Sequence, residues 1–347
     1  MSPLVSPAAG EAEFAHWTDD RQDAMVLGML LECDDDFVSG SVLCDKLDVP
    51  RPELLKRLDS LRARGYVIQA SGGRGYRLAA MPAGLSEREL APLLGETSTI
   101  GRTIHHYAEL PSTNDEAHRL ADADAGHGEV VVAELQTEGR GRRGRRWVAP
   151  PGKSIALSVV LRPSIPAARA PEITLAAAVA VCEAARELGA PAARIKWPND
   201  VECDGRKLAG LLTELRADGD RIRHVVLGVG LNCGVLPEDF PDELVDQATS
   251  LRIEKGEDVP RSLACARLLE ALDEWLALHE VEGFAPVRDR WRQLSSTLGR
   301  RVRIDLEPGV LEGDAVDLAE DGALLLRTQD EALTRVMAGD VTHCRVL

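Results

Sequence analysis

The segment Gly139-Arg140-Gly141-Arg142-Arg143-Gly144-Arg145-Arg146-Trp147 carries five arginines and three glycines in nine residues. Glycine lets backbone N–H groups come close to an anion, and guanidinium forks bind phosphate or carboxylate through paired hydrogen bonds. The pattern predicts a loop that repels itself when empty and orders around a polyanion. A basic tract for RNA is the plainer alternative. Such tracts usually lack an apolar strand ahead, here Val130-Val131-Val132-Ala133, and a tryptophan behind. The loop is not of the Walker type, because G-x-x-x-x-G-K-[ST] is absent.

Three further segments carry chemistry. Lys196-Trp197-Pro198-Asn199-Asp200 puts a compact ammonium at a strand end beside a stiff Trp-Pro step. A surface turn accounts for Pro198-Asn199-Asp200 equally well. Ser112-Thr113-Asn114-Asp115-Glu116 offers hydroxyls and an amide ahead of a helix, and also reads as a plain N-cap box. Gly228-Val229-Gly230-Leu231-Asn232 is a strand whose glycines let a ligand approach the backbone. His105 and His106 are neighbours on a strand and point to opposite faces, so they read as structural and not as metal ligands.

These segments need a scaffold. Val130–Ala133, Ile155–Leu161, Arg194–Trp197, Leu208–Leu215 and His224–Gly230 are expected strands, the last two joined through Ala217-Asp218-Gly219-Asp220. Pro171–Leu188 is an almost wholly apolar helix, and Ser262–His279 sets Cys265, Leu268, Leu269, Leu272 and Leu276 on one helical face. Residues 101–295 therefore read as an α+β domain with a mixed sheet. Short strands over Arg301–Leu306, Ala323–Arg327 and Val341–Val346 make 296–347 a small barrel. Residues 1–22 read as a disordered lead-in, and 81–100 as a linker with one helix, Glu87–Leu94. Between them, 23–80 order as helix, short helix, helix and hairpin, a winged helix-turn-helix.

The whole chain has 347 residues, 44% of them apolar, enough for two or three cores. A net charge of −16 argues against a wholly basic nucleic-acid coat but leaves room for basic islands. Only six of 41 basic residues are lysine (Lys46, Lys56, Lys153, Lys196, Lys207, Lys255), which flags each as a retained ammonium. The best apolar run, Ile173–Cys182, is about half a membrane span. No secretory signal is seen, and seven cysteines without a C-x-x-C pair read as reduced thiols of a cytoplasmic protein.

In this order and spacing, G-R-G-R-R-G-R-x-W and K-W-P-N-D, with S-T-N ahead and G-V-G-L-N behind, resemble the biotin–protein ligase family over roughly residues 25–347. The N-terminal segment makes the chain look like that family's bifunctional ligase-repressors. The resemblance implies a class II aminoacyl-tRNA synthetase-like catalytic domain and an SH3-like C-terminal barrel. It implies an ATP-dependent, AMP-forming biotin–[biotin carboxyl-carrier protein] ligase, in which biotinyl-5′-adenylate forms and the biotinyl group passes to a carrier lysine. Ser112, Thr113, Asn114 and Gln136 would surround the ureido ring, with Gly139, Arg140, Gly141, Arg142 and Lys196 completing the biotin site. Arg142, Arg143, Trp147, Lys207 and Asn232 would hold ATP. Lys196, before Arg140 and Arg142, would cancel the repulsion between carboxylate and α-phosphate. Mg²⁺ would accompany ATP, with Asn199 and Asp200 as helpers. A lipoate–protein ligase and a biotin-sensing transcription factor are the rivals.

From Phe37 to Ala80, eight basic residues stand against four acidic ones, a local +4 suited to DNA phosphates. Arg51, Lys56, Arg57 and Arg74 are the expected contacts, although Glu53 and Asp59 share the same helix and would repel phosphate. Operator DNA and an adenylate-dependent homodimer are the implied partners, beside the carrier protein.

Overall fold

The computed structural model describes residues 22–33, 36–94, 99–306, 309–337 and 339–343. All but the last residue of the expected lead-in, the acidic pair Asp34-Asp35, linker residues 95–98 and the end of the last expected strand lie outside the described residues. The chain divides into two units, Met1–Ser98 and Thr99–Leu347.

The first unit runs α1 (22–31), α2 (Gly40–Leu47), α3 (Arg51–Ala63), β1 (Val67–Ser71), β2 (Gly75–Ala80) and α4 (Glu87–Leu90). Leu54, Leu58 and Leu61 recur at helical spacing on α3 and are fully buried with Leu43. Ser39 caps α2 by accepting from the Val42 amide, while α3 starts on Pro50 with no side-chain cap. A Cβ on Gly75 would lie 2.0 Å from the Val38 carbonyl, which pairs with Tyr76 and adds a third backbone segment to the hairpin. The helix expected over Glu87–Leu94 breaks at Leu90 into a 3₁₀ turn, because Pro92 has no N–H to continue the ladder.

The second unit holds a seven-stranded sheet built from β3 (Ile104–Leu110), β4 (Val130–Gln136), β5 (Ser154–Leu161), β6 (Ala193–Lys196), β7 (Asp200–Cys203), β8 (Arg206–Asp218) and β9 (Arg221–Asn232). Its order is β3-β4-β5-β9-β8-β7-β6, with β3 and β4 parallel and every other pair antiparallel, so the sheet is mixed. The helices are α5 (Thr113–Asp122), α6 (Ala170–Glu187), α7 (Leu251–Lys255), α8 (Arg261–Glu282) and α9 (Phe284–Leu294). Strand β7 and helices α7 and α9 are additions to the sequence reading. The Asp204-Gly205 pair, with φ of 50° and 81°, is the hairpin signal that would have revealed β7.

Five antiparallel strands follow: β10 (Arg301–Leu306), β11 (Gly309–Leu318), β12 (Leu324–Arg327), β13 (Leu333–Val336) and β14 (Asp340–His343), in the order β13-β12-β11-β10-β14. This sheet groups with the larger one in a single unit. The join is tight: Ile195 pairs with Ser295, the Ser296 amide reaches the Ile195 carbonyl at 2.8 Å, and the Trp197 amide donates to Thr297 Oγ1 at 3.0 Å. Among the described residues no helix is long and apolar enough to cross a membrane. Cys182, Cys203, Cys233 and Cys265 are buried, and burial pushes each thiol up to about 12, which leaves them unreactive.

A buried ionic knot ties α6 to α8. Glu172 Oε2 lies 2.7 Å from His279 Nε2, and Arg169 grips the same carboxylate with two bonds of 2.8 Å. Burial alone would raise the Glu172 carboxyl, but the His279 and Arg169 hydrogen bonds more than offset it and hold it below the usual range. A depressed carboxyl stabilises the fold above its unfolded pKa, and that contribution is lost as pH falls through the carboxylate range. Glu172→Gln is therefore expected to cost roughly 1.5–3 kcal/mol near neutrality. In thermal melts, the gap to wild type should narrow on acidification; a gap that stays constant down to the carboxylate range contradicts this.

Candidate functional site

Directly opposed residues on neighbouring strands share a face of the sheet. Lys196 opposes Asp200, Asp200 opposes Gly210, Gly210 opposes Gly230 and Gly230 opposes Ala156, so all five form one row. Two residues along, Leu212, Gly228 and Ser158 form the next row. The glycines make a trough in this face. A Cβ on Gly230 would lie 2.4 Å from the Trp147 indole, and one on Gly228 would lie 2.2 Å from Asn114 Oδ1. The glycine motif of β9 thus admits two other expected site residues.

At one end of the trough, α5 begins directly after β3. Ser112 is its N-cap residue but makes no side-chain cap bond, so the plain capping alternative falls away. Instead the Thr113 amide and hydroxyl both donate to Gln136 Oε1, at 2.8 and 3.1 Å. Ser158 Oγ lies 2.8 Å from Thr113 Oγ1 and 2.6 Å from Asn114 Oδ1. Asn114 Nδ2 donates to Glu214 Oε2 at 2.7 Å and to the Leu212 carbonyl at 3.3 Å. Ser112, Thr113 and Asn114 are all nearly buried. Ser158 and Glu214 were missed in the sequence. Ser154 and Ser158, four apart in an otherwise apolar strand and therefore on one face, were the available signal.

The arginine loop crosses the trough as a closed hairpin. The Trp147 amide donates to the Gly139 carbonyl at 2.8 Å and the Gly141 amide to the Arg145 carbonyl at 2.7 Å, with Arg143 left-handed at φ 55°. The expected self-repulsion is offset by acceptors from elsewhere. Arg140 reaches Asp115 at 2.6 Å and Glu214 at 3.0 Å. Arg142 donates to Asn199 Oδ1 at 3.1 Å and to the Gly339 carbonyl at 3.2 Å.

Trp147 lies over the glycine row, and its Nε1 is buried without an acceptor. Lys207 Nζ stands 5.7 Å from the indole centroid, within cation–π range, and 2.7 Å from Asp200. The Lys207 backbone is clamped by the Gln247 carbonyl and the Thr249 amide, and Asn232 Nδ2 holds the Thr249 carbonyl at 3.0 Å. Lys196 shares the face but sits on the edge strand, two strands from Gly210. Asn199 is occupied at both ends, since its Nδ2 donates to the Leu211 carbonyl at 2.7 Å, and Asp200 is paired. A cavity of about 460 Å³ opens beside Arg142 and Asn199, reaching Trp197, Thr174, Thr213 and Met337. His105 and His106 each pair with their own glutamate, Glu129 at 2.8 Å and Glu134 at 2.9 Å, and the register puts His105 on the face of Ser158 and His106 on the opposite one.

In the first unit, Arg51 and Lys56 are exposed on α3. Arg57 has a side chain only 13% exposed and binds Glu53 at 2.6 Å, so it is a poor candidate for an outside contact. Glu53 also pairs with Lys56 and Asp59 with Arg62, which neutralises the two acids expected to repel phosphate. Arg74 stacks over Phe37 at 4.2 Å in the hairpin turn.

Compared with known proteins, residues 108–232 match the Biotin/lipoate A/B protein ligase family and residues 297–343 the Biotin protein ligase C terminal domain. The chain is 35% identical over 316 residues to the Bifunctional ligase/repressor BirA of Bacillus subtilis (strain 168), covering 91% of this chain and 97% of that protein. It is 31% identical over 308 residues to the Bifunctional ligase/repressor BirA of Escherichia coli (strain K12), covering 88% and 93%. Its structure is similar to the biotin protein ligase from Aquifex aeolicus in complex with biotin and ATP, with a TM-score of 0.61 and 27% identity over 71% of this chain and 100% of that one. With glycine trough, polar pocket and arginine loop on one sheet face, and relatives matched over nearly their whole length, the chain is an enzyme of the biotin–protein ligase family, among its bifunctional ligase/repressor members.

Proposed function

We propose that the chain joins biotin to ATP as biotinyl-5′-adenylate and passes the biotinyl group to a lysine of a biotin carboxyl carrier domain. The observation that carries this reading is the hydrogen-bond inventory of the polar pocket. Both N–H groups of Asn114 are occupied, which leaves its Oδ1, with the Thr113 and Ser158 oxygens, as acceptors. The Ser112 hydroxyl makes no cap bond and is a donor in waiting. A ureido group brings two N–H donors and one carbonyl acceptor, which matches this set. A lipoyl dithiolane brings no N–H donor and no carbonyl, and would leave the spare acceptor capacity of this pocket unused.

The biotin carboxylate would attack the α-phosphorus, forming a C–O–P linkage as the bond to pyrophosphate breaks. Arg140, Arg142, Lys196 and Lys207 would offset the negative charge on both partners, while Arg143, Trp147 and Asn232 hold the nucleotide. Gly139 and Gly141 let the loop backbone close over the ligand. Mg²⁺ would travel with the triphosphate and keep several of its waters, with Asn199 and Asp200 as helpers beyond those waters. Incubation with biotin, ATP and a carrier domain, followed by a blot for protein-bound biotin, is expected to label the carrier. Lipoyl transfer, or no transfer, overturns the reading. Gly230→Ala would drive a methyl group into Trp147, an overpacking of about 1–3 kcal/mol. The expected result is a KM for ATP raised roughly tenfold or more, with a smaller change for biotin; an unchanged KM for ATP argues that Trp147 does not face the nucleotide.

The same proposal takes the first unit as a winged helix-turn-helix, with α3 as recognition helix and the β1–β2 turn as wing, and the C-terminal sheet as an SH3-like barrel behind a class II synthetase-like domain. Arg51, Lys56 and Arg74 would meet operator phosphates, with Arg57 bracing Glu53. Adenylate would favour a homodimer that spans two half-sites in the cytoplasm. Supporting this are the repressor names of the relatives and the mutual neutralisation of Glu53 and Asp59 by neighbouring cations. A gel shift on operator DNA should strengthen when biotin and ATP are both present; binding indifferent to them removes the switch.

A further inference from the structure

Glu214 belongs to none of the motifs, yet its Oε2 joins both halves of the site. It accepts from Asn114 Nδ2 in the pocket wall at 2.7 Å and from Arg140 in the loop at 3.0 Å. An asparagine can offer a ligand either its NH₂ or its carbonyl end. With Nδ2 held between Glu214 and the Leu212 carbonyl, Oδ1 is the end left facing Ser158 and the trough. Behind the carboxylate, His118 Nε2 lies 3.8 Å from Oε2, and His118 Nδ1 lies 2.9 Å from Nε2 of buried His224. One proton serves that contact between two neutral rings. If His224 donates it, His118 carries its own proton on Nε2, toward Glu214; the opposite tautomer turns a lone pair onto a carboxylate. The first arrangement is therefore favoured.

From this geometry we propose that Glu214 is a positioning residue of the biotin site: it turns the Asn114 carbonyl toward the ureido N–H and, together with Asp115, holds Arg140 over the pocket before biotin arrives, with the His118–His224 pair 3.8 Å behind it. This rests on the reading of the ligand as biotin. Setting the amide and the loop in advance removes an ordering cost from binding rather than adding a contact to the transition state, so the effect falls on biotin affinity.

The histidine pair makes the arrangement sensitive to acid. The charged groups around it are Glu214 and Arg216 from β8, Asp115 and Asp122 from α5, and Arg162 just after β5. Burial lowers both rings below the ordinary histidine value, against the pull of Glu214 on His118 and with a further push from His118 on His224. The pair is thus neutral near pH 7 and gains a proton only on the acid side. An imidazolium at His118 then competes with Arg140 for Oε2, and the loop loses one of its anchors while Asp115 stays on Arg140.

Glu214→Gln keeps the shape of the side chain and Glu214→Ala removes it. For the full chain, biotin-dependent pyrophosphate release would be measured against biotin, ATP and pH, with calorimetric biotin binding alongside. The KM for biotin is expected to rise about tenfold or more in both variants, with kcat at saturating biotin within about threefold and the KM for ATP nearly unchanged. The wild-type KM for biotin should climb as pH falls below the histidine range, while both variants start high and stay flat. A biotin KM within about twofold of wild type in both variants overturns the proposal. So does a fall of kcat and of the thermal midpoint together with a rise of both KM values, which would mark a scaffolding role. A wild-type protein without biotin-dependent pyrophosphate release would instead overturn the ligase reading itself, a pattern distinct from either.

Discussion

Lys207→Ala is expected to lower biotin-dependent pyrophosphate release by roughly 10²–10³-fold while the fold survives. The expectation follows from charge and place. A carboxylate and a triphosphate must approach each other, and a fixed cation at the point of approach is worth most in a site shielded from water. Lys207 Nζ stands beside Trp147 and above the Gly210–Gly230 floor, its backbone clamped by residues 247 and 249 and its ammonium steered by Asp200. Lys196 shares the face, but two strand spacings, about 10 Å, separate its backbone from Gly210. Lys196→Ala is accordingly expected to lose activity by a smaller factor, although the sequence ranked it first. Near-normal pyrophosphate release from both variants would sink the assignment of this trough as the adenylation site. A larger loss in Lys196→Ala than in Lys207→Ala would move the reacting phosphate toward the sheet edge.

The second large effect is expected at Arg142. Its guanidinium ties the loop to two distant elements, Asn199 after β6 and the Gly339 carbonyl before β14. Hydrogen bonds to a charged donor contribute about 1.5–3 kcal/mol each, so removing them raises the open population of the loop by an order of magnitude or more. Arg142→Gly also adds a flexible residue to a segment that already has three glycines. Biotinyl-adenylate that escapes an open loop acylates whatever amine it meets. Mass spectrometry of a bystander protein in the reaction should therefore find biotin on its exposed lysines with the variant and not with wild type. Labelling confined to the carrier lysine would show that Arg142 does not retain the intermediate.

The arginine loop, K-W-P-N-D, S-T-N and the β9 glycines were all legible in the sequence, because each depends on residue types at short spacing. So were the helix–helix–helix–hairpin order of the first unit and most strands of the sheet, whose periodicities and turns are local. β7 escaped because four residues carry little periodicity, and α9 because nothing marked its start. Ser158 and Glu214 escaped for a different reason. Ser158 meets Asn114 across 44 residues of chain and Glu214 across 100, and neither lies in a motif.

By itself, then, the sequence determined which segments could do chemistry, and the acidic background with its basic islands in which they stand. Only the tertiary structure decided how those segments meet. Strand register put the glycines in two adjacent rows and so made room for Trp147 and Asn114 on one face. It brought Lys207 to the centre of the trough and left Lys196 at its rim. It closed a loop of like charges by supplying Asp115, Glu214, Asn199 and the Gly339 carbonyl from four other parts of the chain. The physical reason is common to all three: residue type sets what a group can bind, whereas long-range pairing sets which groups are near enough to bind it.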